Sequence, residues 1–118
     1  MNSAASTPSV SEAAELFAVD LRRTTDRLRS IGAARLSASF SPEPTRADAA
    51  FALIRELADR TAQLAGSEQH TVPRLTDMAL GDQLAVIGRE LLIAARRRGD
   101  VDVLVKTAGE LLDLRRRI

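Results

Sequence analysis

LTDMALGDQLAVIGRELLIAARRR, residues 75–98, is the longest uninterrupted helical pattern in the chain and the most apolar one. Leu80, Leu84, Ile87, Leu91 and Ala95 recur at three-and-four spacing and share one helical face. Ala79, Val86 and Ile93 form a second line on a neighbouring face, and Leu92 widens the apolar surface further. A helix with a single apolar stripe lies on the outside of a bundle; one with more is covered on more than one side. The stretch therefore reads as a spine against which the other helices pack. Thr76 or Asp77 is its predicted cap. Gly81 and Gly88 stand inside it, each costing roughly 1 kcal/mol relative to Ala. Two helical turns separate them, so both face one side, and the pair predicts close approach of another helix there. Arg96, Arg97 and Arg98 fill the last turn, where cations complement the helix dipole.

Downstream, Gly99 ends the spine and Asp100 caps a helix over Val101–Arg117, with Val101, Leu104, Val105, Ala108, Leu111 and Leu112 as its core positions. So short a connection makes the last two helices antiparallel neighbours. Upstream, SEQHTVPR (67–74) reads as a loop. Before it, Thr45 caps a helix over Arg46–Ala65 that ends at Gly66. Ala47, Ala50, Phe51, Ile54, Leu57, Ala58, Thr61 and Leu64 line its inner face, and Glu56 and Arg60 form a surface pair. AARLSASFSPEPT (33–45) reads as an irregular connection broken by Pro42 and Pro44 and anchored by Phe40. Ser9 and Glu12 have capping-box spacing. They open a first helix over Val10–Ile31 with Ala14, Phe17, Leu21, Thr24, Leu28 and Ile31 inward, and Gly32 is placed for a left-handed cap.

These elements define an all-α fold, a four-helix antiparallel bundle with a disordered N-terminal tail: residues 1–9 the tail, 10–118 a single helical-bundle domain. A mainly up-down order is expected, although the long second connection permits another packing order.

Composition narrows the function classes. The 118 residues suffice for one domain with a core. The absence of Cys rules out disulfides and thiolate metal sites and agrees with a cytoplasmic setting. No apolar run approaches the roughly 18–20 residues of a membrane span, and the N-terminus lacks the pattern of a secretory signal. Seventeen Lys and Arg balance sixteen Asp and Glu. Only Lys106 is a lysine, an Arg and Ala bias typical of a GC-rich bacterial genome.

The charges are spread evenly, whereas a nucleic-acid binder concentrates a basic excess on one surface. Arg96–Arg98 and Arg115–Arg117 fall at opposite ends of an antiparallel pair and cannot add up to one patch. The fourth helix opens with Asp100 and Asp102, where a recognition helix would meet phosphates. His70, the lone histidine, sits before a proline in a predicted loop, without the ExxH or HxxxH spacing of a metal pair. Arg98-Gly99-Asp100 is explained by helix termination. Met78 and Phe51 read as core. No catalytic, cofactor or metal residue is assigned.

What remains is the second line of the spine. Ala79, Asp82, Val86, Arg89 and Ile93 share a side, and surplus apolar surface on a small bundle calls for something to cover it. The function expected is a small non-catalytic protein-interaction module, an adaptor or regulatory subunit with a protein partner or with itself as a homodimer. Alternatives are nucleic-acid binding through the Arg-rich helix ends, and a helical bundle that binds a small molecule or catalyses. Asp82 reads either as a partly buried contact that fixes register or as an exposed polar seam between two apolar stripes, the seam being the commoner case.

Overall fold

The computed structural model describes residues 7–69 and 71–118, so most of the expected tail and His70 lie outside the described residues. The chain is all-helical among them, with five helices rather than four: α1 (Val10–Ser30), α2 (Ala33–Ser37), α3 (Arg46–Ala65), α4 (Leu80–Arg98) and α5 (Val101–Arg117). The additional helix is α2, inside the segment read as irregular. Five residues are too few for a periodicity to show, but Leu36 at its centre is fully buried.

Local chemistry sets most boundaries. Ser9 and Glu12 form the reciprocal capping box, with bonds of 3.0 and 3.1 Å. Thr45 Oγ1 accepts from Asp48 N–H, and Asp100 Oδ1 from Val103 N–H, both at 3.0 Å. Gly66 and Gly99 end α3 and α4 at φ 68° and 63°, the left-handed caps that glycine adopts without penalty. Gly32 does not act in this way. Its φ is −71°, and α1 closes through Ile31, whose N–H reaches Arg27 O. The spine also starts later than its sequence pattern. Leu75 and Thr76 are irregular, Asp77–Ala79 make a single 3-10 turn, and neither Thr76 nor Asp77 caps α4 by a side-chain bond.

The core runs through Phe17, Leu28, Ile54, Leu57, Leu80, Leu84, Leu91, Leu104 and Leu111, all buried. Leu80, Leu84, Leu91 and Ala95 of the spine's first stripe are thus inside and Ile87 is half-buried, while both interior glycines face α1. A Cβ on Gly81 would fall 2.7 Å from Arg29 Cγ and 3.4 Å from the Thr25 carbonyl oxygen. On Gly88 it would fall 2.9 Å from Leu21 Cδ2 and 3.2 Å from Leu21 Cγ. The close approach expected from the sequence is that of α1.

The helix order differs from the up-down expectation. Gly81 meets Thr25, Gly88 meets Leu21 and Gly99 lies beside Val10, so α1 and α4 are antiparallel. Val105 adjoins Ala13 and Leu16 near one end of α5, and the Ile118 carbonyl accepts from Arg27 near the other, so α1 and α5 are parallel. Arg74 bridges Asp48 near the start of α3 and Asp77 just ahead of α4, while Arg98 reaches Leu64 O at their far ends. These two helices are parallel as well. α4 and α5 are joined by a tight turn and run in opposite directions, yet each packs extensively on α1 and little on the other. The structure thus corrects the expectation that they are packed neighbours. The connection 66–79 does not turn back as a hairpin; it returns along α3 to the end where that helix began.

The inward face of α5 is rotated from the expected one. Thr107 and Leu114 are buried, Val105 is exposed and Leu112 half-buried. Thr107 Oγ1 accepts from Arg60, which tolerates a hydroxyl at that position.

Candidate protein-interaction surface

The outward face of α4 carries the second line of the spine. Val86 is 62% and Ile93 42% exposed, and Ala79, in the 3-10 turn, is half-buried. No helix of the described chain covers Val86 or Ile93. Seven-residue spacing is two turns, so the two side chains project the same way, about 10 Å apart along the helix axis.

Charges stand between these apolar rungs. Asp82 is an exposed seam residue and not a partly buried one: its side chain is 75% accessible. Its Oδ1 accepts from Arg29 Nε at 3.0 Å and Nη2 at 2.7 Å. Both bonds converge on one oxygen, which leaves Oδ2 without a protein donor among the described residues. Arg89 is exposed and has no ion-pair or hydrogen-bond partner there. The glycines that admit α1 bring Arg29 within reach of Asp82, and this cross-helix pair places its charge at the edge of the face.

Sequence reasoning missed a second exposed apolar pair. Leu16 on α1 and Val105 on α5 flank a shallow groove of about 150 Å³. Val105 was expected inside, and Leu16 lies off the inward stripe of α1. Met78 was read as core and is exposed, while Phe51 is half-buried beneath the Arg74 guanidinium, 4.9 Å from the ring centroid. Phe40 does anchor its connection, held between Arg46 and Arg117 at 4.9 and 5.0 Å.

The other clefts are shallow and open. One of about 410 Å³ lies between α3, α4 and the returning connection, and one of about 390 Å³ follows the seam between α3 and α5. That seam is bridged by Arg60, whose side chain is only 16% exposed. Arg60 meets Glu110 through both terminal nitrogens and Thr107 at 3.0 Å, with Glu56 a further partner at 3.3 Å. The expected surface pair of Glu56 and Arg60 is therefore the outer part of a cross-helix cluster. Glu110 holds the Arg60 guanidinium even more firmly in its charged form, against the opposing effect of burial. At the other end of the seam, the bond from Arg117 holds Glu43 below its ordinary value of 4.5. Among the described residues no group of three or more His, Asp or Glu gathers as a metal site, and no helix is long and apolar enough to cross a membrane.

Three of the six arginines at the helix ends, Arg98, Arg115 and Arg117, are engaged within the chain, while Arg96, Arg97 and Arg116 are exposed. Arg115 binds Asp20 at 3.0 Å and Thr24 Oγ1 at 3.0 Å, Arg117 binds Glu43 at 2.6 Å, and Arg98 donates to Leu64 O. Arg96–Arg98 and Arg115–Arg117 sit at opposite ends of the molecule.

Comparison with protein-family models, with curated proteins and with solved structures finds no match to this chain.

Proposed function

We propose that the chain is a small protein-interaction module whose contact surface is the outward face of α4: Ala79, Asp82, Val86, Arg89 and Ile93. The observation that carries the proposal is the exposure of Val86 and Ile93 on one side of the helix, with no segment of the described chain over them. Burying what remains exposed of these two β-branched side chains contributes about 1–2 kcal/mol each. The charges beside them supply orientation and partner choice more than affinity. A cytoplasmic setting belongs to the same reading, supported by the lack of cysteine.

A photo-crosslinking residue introduced at Val86 tests the proposal in the cells that make the protein. Arg55, on the exposed side of α3, and Val105, in the other apolar pair, serve as comparison positions. A discrete adduct from position 86 and none from position 55 is the expected result. Labelling from position 105 alone, or from none of the three, would overturn it.

A further inference from the structure

Reversal of α4 about Val86 brings its outward face onto itself. Ala79 and Ile93 stand seven residues to either side of Val86, Asp82 four residues before it and Arg89 three after. At 100° per residue, Asp82 and Arg89 fall on the same flank of the line Ala79–Val86–Ile93, displaced by about 40° and 60°. A two-fold axis across the helix retains the flank and inverts the direction. Asp82 of one copy then meets Arg89 of the other, twice, with Val86 against Val86 at the axis and the small Ala79 opposite the large Ile93. A parallel pairing exchanges the flanks: it would set Arg89 against Glu90 but leave Asp82 opposite Gln83, without a cation.

We propose that the partner of this surface is a second copy of the chain, joined through an isologous, antiparallel α4–α4 contact. This rests on the assignment of the α4 face above and names its occupant. Two observations point to a second copy. The apolar rungs and the charges are self-complementary under one symmetry operation. The groups that would pair are also the ones left available, Asp82 Oδ2 beyond its bonds to Arg29 and Arg89, which has no partner among the described residues. A single helix pair forms a small interface, below about 1,200 Å², so the dimer dissociates on dilution.

Light scattering over a wide concentration range should show the mass doubling. Asp82→Arg places two cations against two cations, and Arg89→Asp two acids against two acids, so each variant alone should weaken association at least tenfold. Mixed in equal amounts they should associate again, because every cross-pair is then opposite in charge. Circular dichroism verifies that both variants are folded. The chain has no cysteine, so Val86→Cys should oxidise to a covalent dimer while Val105→Cys does not. A protein that stays monomeric at all concentrations, single variants that associate like the parent, or a mixture that fails to recover would each overturn the dimer. The mass of the position-86 photo-adduct separates the two proposals. Twice the chain mass supports the dimer, another discrete mass refutes the dimer and leaves the surface assignment intact, and no adduct removes both.

Discussion

Two interior glycines of the long helices illustrate opposite uses of the same residue. Gly88 is packed beneath the Leu21 side chain, so Gly88→Leu forces α1 away and should cost the 1–3 kcal/mol typical of overpacking. Gly109 in α5 has nothing within 4 Å of where a Cβ would stand. Gly109→Ala should raise stability by up to about 1 kcal/mol through helix propensity alone. Urea unfolding of the two variants reads both effects. Glu43 provides the acid side of the pH profile. Its pKa is lowered in the folded state by Arg117, so the stability it contributes is present above 4.5 and is lost as the pH falls through the lowered folded value. The pair is part-exposed and worth at most about 1 kcal/mol. Glu43→Gln should lower the unfolding midpoint at neutral pH, and its difference from the parent should vanish in acid.

At the scale of elements, the connection between α3 and α4 is under the tightest constraint. From Asp48 to Gly66 the helix rises roughly 27 Å at 1.5 Å per residue. The chain must return from Gly66 to Arg74, beside Asp48, in eight steps that reach at most about 27 Å when extended, plus the length of the arginine side chain. The slack is little more than the reach of that side chain, about what two extended residues span. Deleting two residues within 67–72 should pull Arg74 off Asp48 and lower the melting temperature by several degrees, although a loop in a hairpin would tolerate the change. Helix ends were legible in the sequence wherever a side chain or a glycine closes them, as at Ser9, Thr45, Gly66, Gly99 and Asp100. Direction was not legible, because amphipathic stripes say which face is inward and not which way the neighbour runs. The α4 face was half legible: Val86 and Ile93 stood out by spacing, but the Arg29–Asp82 pair depends on which helix the glycines admit. The partners of Arg60, read as half of a surface pair, and of Thr24, read as inward, were not legible for a related reason. Each of these two residues is polar at an inward position, and only the assembled fold supplies the Glu110, Thr107 and Arg115 that satisfy them.

Over the whole molecule, cations and acids are interleaved, and five of the seventeen cations pair with acids across segments. Arg29, Arg60, Arg74, Arg115 and Arg117 each bridge to an acid on another segment. Phosphate binding would have to break these pairs or rely on scattered exposed arginines. The mobility of a labelled duplex or single strand at low salt should therefore be unchanged by the protein; a salt-sensitive shift would return nucleic acid to consideration.

The order of the helices also governs how the fold is reached. α1 takes its packing from α4 and α5, with Thr24 bonded to Leu111 across 87 positions. A nascent chain emerging from the ribosome must hold the apolar side of α1 without its partners until most of the sequence has been made. A stall before α4 would leave that side wholly uncovered, and that is when a chaperone has most to grip. Contacts so distant in sequence should also make refolding slower than that of an up-down helical bundle of equal length. Stopped-flow fluorescence cannot follow this directly in a chain lacking Trp and Tyr, but far-ultraviolet circular dichroism can.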